Sequence, residues 1–216
     1  MGRKGPADSN QKRKIQEVAG RFFMENGYDE TSIRQIAKAL DVSPGLIGYY
    51  YPSKRDIARE LLSGKLAQFT SLSREYVDPD DPMLVCAVTI KLEVTVLSSA
   101  NFRRFYSGAL REDIVLDVLR ASGIETYQAV NEKYHLGYTE DELRVYDLIA
   151  ASTERTLVLY SDELQVERGR VADLIFCTHM GRLYGTEEFL QGKCRESELI
   201  VAGILCDHPE ILQGWD

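Results

Sequence analysis

Thr31-Ser32-Ile33-Arg34-Gln35-Ile36-Ala37, followed after Leu40-Asp41-Val42 by Ser43-Pro44-Gly45-Leu46-Ile47-Gly48-Tyr49-Tyr50, is the stretch that decides the fold. The Ser32 hydroxyl can cap a helix, and Gln35 three residues on completes a capping box. Ile33, Ile36, Ala37 and Leu40 then recur on one helical face. Ser43-Pro44 reads as a second cap with proline at the first helical position. Two short helices joined by a tight turn have the proportions of a helix-turn-helix, the second helix being available for a DNA groove. Ile36, Ala37, Val42 and Ile47 can lock the pair together, which leaves Ser43, Pro44, Gly45, Leu46 and Tyr49 on an outer edge. Exposed apolar and aromatic groups suit a thymine methyl, a sugar or a phosphate better than they suit water. On spacing alone, an ordinary corner of a helical bundle fits this stretch equally well.

Before this stretch, Ile15, Val18, Ala19, Phe22 and Phe23 mark one face of a first helix, which Asn26-Gly27 ends. After it, Pro52 breaks the chain and Ser53 can cap a long helix to about Tyr76. Lys54 in the first turn of that helix opposes the helix dipole, and a phosphate contact is the simplest task for it. Asp78-Pro79-Asp80-Asp81-Pro82 is the clearest punctuation. Helical segments are expected at about 82–99, 102–109, 112–134, 139–161, 165–191 and 195–207, with a late break at Gly192. Met83 to Leu97 is rich in Val, Ile and Thr, but its length and the lack of hairpin turns favour a buried helix over a strand. The whole reads as all-α, with about nine or ten helices.

Charge is divided unevenly. The 216 residues carry a formal net charge of −8, which taken alone argues against a nucleic-acid partner. Residues 1–60, however, hold 11 Lys and Arg against 8 Asp and Glu, with Arg3, Lys4, Lys12, Arg13 and Lys14 clustered at the start. Residues 61–216 hold 15 against 26. A basic head on an acidic body raises the prospect of an N-terminal unit for a polyanion. No apolar run approaches the roughly 20 residues that span a bilayer, and no apolar leader follows Met1. A cytoplasmic protein with reduced thiols is expected.

Phe23-Met24-Glu25-Asn26-Gly27-Tyr28 before the deciding stretch, and Tyr51-Pro52-Ser53-Lys54-Arg55-Asp56-Ile57 after it, complete a longer pattern. From Ile15 to about Leu62 the sequence resembles the DNA-binding region of the TetR family of one-component transcriptional regulators, over less than a quarter of the chain. The resemblance implies an all-helical homodimer: a three-helix DNA-binding unit (residues 1–56) and a larger helical domain that binds an effector and dimerises (57–216). It implies double-stranded operator DNA as partner, a small-molecule effector, repression as the family's usual mode, and no enzyme activity, cofactor, metal or membrane association. By position, Ser32 and Arg34 would meet the DNA backbone or groove edge. Ser43, Pro44, Gly45, Leu46, Tyr49 and Tyr50 would form the recognition surface, and Lys54 would hold a phosphate. Gly48 stands where the family commonly has tyrosine, and Pro44 where it often has lysine. Tyr51 replaces a usual phenylalanine and reads as core.

In the acidic body, polar groups inside apolar stretches are the only handle on a ligand. Lys91 and Glu93 lie in one such helix and Glu154-Arg155 in another, while Arg103-Arg104 are flanked by aromatics. Glu93, Arg103, Phe105, Tyr106, Tyr127, Arg155 and His179 are the candidate ligand contacts. Plain core packing competes for the aromatics and for His179. Small residues Ala150, Ala151, Ser152, Gly181 and Gly185 would let helices 139–161 and 165–191 approach their two-fold mates. Cys177-x-His179 and Cys206-Asp207-His208 leave open a metal- or redox-responsive regulator, without the paired spacing of zinc modules. A helical binding or interaction protein without DNA is the other alternative. No Gly-rich phosphate loop or catalytic motif supports an enzyme.

Overall fold

Helix caps set the architecture. In the computed structural model, which describes residues 6–122, 124–161 and 163–215, every connection of the N-terminal unit is fixed by a local polar device. Arg3, Lys4 and Asp162 lie outside these residues. Helix α1 (Pro6–Asn26) stops where Gly27 takes φ +88° and returns its N–H to the Phe23 carbonyl at 3.0 Å. Thr31 is buried and donates to the Gly27 and Phe22 carbonyls, so it closes the end of α1. Ser32 and Gln35 form the expected capping box at the start of α2 (Ile33–Ala39). Asp41, at φ 54°, turns the chain into α3 (Pro44–Tyr50), capped by Ser43. Ser53 caps α4 (Lys54–Tyr76), which runs across the boundary expected at residue 56 without a break.

Asp81 caps α5 (Pro82–Leu97), with Pro82 in the first turn. The Val/Ile-rich segment is thus a helix, and burial all round explains its composition: it packs against α4 and three later helices. Those that follow are α6 (Arg103–Arg111), α7 (Ile114–Ser122), α8 (Ile124–Lys133), α9 (Glu140–Tyr160), α10 (Arg168–Met180) and α11 (Glu187–Asp207), then a 3-10 turn at Pro209–Leu212. Eleven α-helices among the described residues exceed the nine or ten expected, because the single helix expected at 112–134 is two. The late break is not at Gly192 but between α10 and α11. Gly185 takes φ +102° there, and the Thr186 hydroxyl accepts from Phe189 N–H to start a new helix.

One apolar core joins Ile15, Phe23, Ile36, Ile47 and Ile57 of the N-terminal unit to Leu92, Phe105 and Ile204 of the body. The end of the chain adds to this joint. Trp215 packs edge-on against Phe102 and Phe105, with ring centroids 5.1 and 4.7 Å away. A Cβ at Gly20 of α1 would stand 2.5 Å from the Trp215 ring, so glycine there makes room for the indole. A second core gathers α5, α8, α9, α10 and α11 around Met83, Ile90, Phe176 and Met180.

Candidate nucleic-acid interface and internal cavity

Helix α3 turns its apolar side in two directions. Ile47 is fully buried and seats the helix on the core. Ser43, Pro44, Gly45, Leu46, Gly48 and Tyr49 are exposed, Tyr49 to 69%. Most of that ring stands in water, and within the protomer it meets the edge of the Tyr50 ring. Tyr50 departs from the expectation of a recognition surface: it is half-buried and packs on the core, its ring edge-on to Tyr49 at 5.1 Å. Residue 50 follows Ile47 by three on the helix, so it shares the inward face. Gly45 and Gly48 are exposed as well. A Cβ at Gly48 would meet nothing within 4 Å, so the protein's own packing does not require glycine there.

On α2, Arg34 and Lys38 are exposed beside this face. Ser32 is exposed, but its hydroxyl is engaged with Gln35. Lys54 is tied inward: its Nζ donates to the Tyr28 carbonyl at 2.6 Å and lies 4.1 Å from the Tyr28 ring centroid. Partial burial lowers its pKa from the ordinary lysine value. The cation at this helix N-terminus therefore has an intramolecular task, anchoring α4 to the α1–α2 turn. Tyr51 is buried, as its place in the pattern suggested.

Within the body lies a cavity of about 560 Å³, inside the range of about 300–1,000 Å³ usual for small-molecule sites. Leu66, Ala67, Ile90, Leu119, Ala150, Ala151 and Met180 form apolar walls, and Ser71, Arg74, Glu75, Glu125 and Thr126 also line it. Of the candidate contacts, Glu93, Tyr127 and His179 are on its wall, joined by Asp147 and Glu154. Glu93 and Glu154 are both buried and face each other, and Tyr106 Oη donates to Glu154 Oε1 at 2.9 Å. Burial, with each carboxyl's charge opposing the other's, holds Glu93 well above the usual carboxylate range; burial likewise raises Glu154. Asp147 is pushed up to about 6 by burial, and His179 is pushed down to about 4 by the same cause. One His179 ring nitrogen bonds the Ala150 carbonyl while Nε2 has no partner. Nδ1 is then the protonated nitrogen, and Nε2 a bare acceptor.

The other candidates lie elsewhere. Tyr106 is buried behind the cavity and reaches it only through Glu154. Phe105 is core, its ring 5.4 Å from that of Phe23. Arg103 is exposed on an outer groove beside α1. Arg155 pairs with Asp113 at 2.9 Å and donates to the Leu110 carbonyl. Lys91 is buried but neutralised outside the cavity, by Asp173 at 2.8 Å. Ala150 and Ala151 line the cavity and are buried in their own protomer, so they do not form the close helix contact expected of them. Gly181 and Gly185 are likewise packed internally, against the Cys177 carbonyl and Phe189. Cys177 Sγ lies 3.8 Å from Cys194 Sγ, and Cys206 is exposed. No cluster of three or more metal-binding side chains occurs among the described residues. No described helix is long and apolar enough to cross a membrane.

Known proteins match both the sequence and the architecture. The family model described as bacterial regulatory proteins, tetR family, matches residues 15–61. The fatty acid metabolism regulator protein of Bacillus subtilis is 29% identical over 119 residues, covering 55% of this chain and 57% of its own. The regulator AcrR of Shigella flexneri is 33% identical over 88 residues, 39% of this chain and 41% of its own. The chain thus spans roughly half the length of these curated relatives. Among solved structures, TylP, a tetR regulator from Streptomyces fradiae, superimposes with a TM-score of 0.58 at 15% identity, covering 92% of this chain and 98% of that one. RolR without ligand gives 0.57 at 14% identity, covering 88% and 96%. At such identities the likeness is one of fold, and it extends through the helical body. With the deciding stretch folded as a capped helix-turn-helix on that body, residues 15–61 are the DNA-binding region of the bacterial regulatory proteins, tetR family, and the whole chain shares the fold of a solved tetR regulator.

Proposed function

We propose that this protein is a dimeric cytoplasmic repressor whose α3 enters the major groove of an operator, and whose hold on DNA is set by a small molecule in the cavity. The observation that carries the first part is the exposed Leu46–Tyr49 edge of a capped helix whose opposite side is locked by Ile47. Arg34 and Lys38 on α2 would neutralise phosphates beside it. Lys54 would act mainly by fixing the turn, with any phosphate contact secondary to its carbonyl bonds. The division remains 1–56 for DNA and 57–216 for effector and partner copy, with α4 common to both.

The cavity is wired to the DNA unit through α6. Glu154 on the cavity wall holds Tyr106, and on the same helix Phe105 packs against Phe23. Arg104 donates to the Glu25 carbonyl, and Arg111 pairs with Asp29 at 3.0 Å. A ligand that took Glu154 from Tyr106 would favour a different seat for α6, and with it for the Tyr28–Asp29 turn that holds Lys54. Exposed Val145, Leu148 and Ile149 on α9 and Leu199 on α11 offer apolar surface for a second copy. The test is retardation of a duplex from upstream of the protein's own gene by the full chain. A shifted band that survives excess unrelated duplex is expected. Failure to retard that duplex or any other promoter fragment would favour the interaction-protein reading instead.

A further inference from the structure

We infer that the effector is a compact apolar molecule bearing a cationic amine, with its ammonium seated between the carboxyls of Glu93 and Glu154. This rests on the reading that the cavity holds the effector. The cavity is lined by one arginine, Arg74, against five carboxyl groups, so an anionic ligand would meet net repulsion. Arg74 is more than half exposed and already 3.9 Å from Glu125. A second observation points to a ligand with donors to give. Glu93 Oε1 and His179 Nε2 have no hydrogen-bond partner and can accept, and Tyr127, only 4% exposed, has an unpartnered Oη that can accept as well as donate. All three residues line the cavity. A buried polar atom left without a partner is costly, and an acceptor-rich wall is completed by N–H groups. A neutral naphthalene-sized body fits the remaining apolar surface.

The same arrangement makes a proton the natural occupant when no ligand is present. The groups facing the pair are Tyr106 on α6, Tyr127 on α8, Asp147 on α9 and Cys86 on α5, with His179 on α10 also on the wall. None supplies a positive charge at neutral pH, since His179 is held neutral by burial. With their pKa values raised, the two carboxyls keep a proton between them. An incoming ammonium replaces it, and about one proton leaves for the solvent on binding.

The test is calorimetric titration of the full chain with three probes on one ring system: naphthylmethylamine, naphthylmethanol and naphthoic acid. Running each in two buffers of different ionisation heat counts protons. The amine is expected to bind at least tenfold more tightly than the other two and to release about one proton. Glu93→Gln and Glu154→Gln should each weaken the amine roughly tenfold and leave the alcohol within about twofold. The proton count comes from the unaltered chain, so it decides the matter even where a variant fails to fold. Tightest binding by the acid, equal binding of amine and alcohol, or no saturation by the amine at about 1 mM would overturn the inference. Retardation of the upstream duplex separates it from the reading beneath. An amine that binds as expected but leaves DNA affinity unchanged upholds the ligand class and removes the effector role. DNA release by the acid alone does the reverse.

Discussion

Helix α3 and the cavity wall break the ordinary rule of burial in opposite directions. On α3, an aromatic ring and a leucine are left in water; on α5 and α9, carboxyl groups are put inside. Each departure costs stability locally, and the partners within the protomer, the Tyr50 ring edge for Tyr49 and the Tyr106 hydroxyl for Glu154, offset it only in part. On the proposed reading, each departure marks where a second molecule fits: the apolar edge meets a groove, and the buried acceptors meet a donor. By contrast, buried Lys91 is matched by Asp173 and the Cys194 carbonyl, so its charge is answered within the protomer.

Substitution can make each region conventional. Tyr49→Ala removes the exposed ring, and operator affinity is expected to fall between tenfold and a hundredfold, read by fluorescence anisotropy, with Tm unchanged within a degree or two. In the cavity, Glu93→Met with Glu154→Met should raise stability by about 1–4 kcal/mol in urea titrations while abolishing the response to amines. The pH dependence supplies a sign. Carboxyls with raised folded-state pKa values contribute stability that is complete below the usual carboxylate range and is lost as pH rises through the raised values. The unaltered chain should therefore lose stability between about pH 4.5 and pH 8 relative to the double variant, which lacks both titrating groups.

Smaller effects sharpen the same contrast. Lys54→Met removes the donor to the Tyr28 carbonyl and should cost about 1–2 kcal/mol of unfolding free energy. If Lys54 acts as an internal anchor, the salt dependence of DNA binding stays the same; a shallower dependence would restore a phosphate contact. Gly48→Ala should stabilise the chain by about 0.5–1 kcal/mol, because the helix gains a better former and the site has open space. If the DNA backbone comes close at Gly48, operator affinity falls even as Tm rises.

Much of the DNA unit was legible in the sequence because its devices are local. Ser32 with Gln35, Ser43 with Pro44, and Asn26-Gly27 each act within four residues, and all are found as caps and ends. The cavity was less legible because it depends on helix phase and on which helices meet. Glu154 and Arg155 are neighbours in sequence, but a turn of about 100° sends one to the cavity and the other to Asp113 on the surface. Arg103 and Phe105 read as a ligand cluster with Tyr106, yet the two face an outer groove and the core. Lys54 reads as a cation for a phosphate, whereas in the structure it holds the Tyr28 carbonyl. Its partner, 26 residues back, is a backbone carbonyl that no side-chain pattern discloses.

In the proposed function, an exposed apolar edge on α3 reads duplex DNA. It is tested most directly by measuring the affinity of the full chain for the upstream duplex over a series of salt concentrations, beside Tyr49→Ala. Steeply salt-dependent binding is expected, with the variant at least tenfold weaker at every salt concentration and its slope unchanged, since the ring meets bases or sugars and not counterions. Equal affinities for the two proteins across the series would contradict the assignment of that edge.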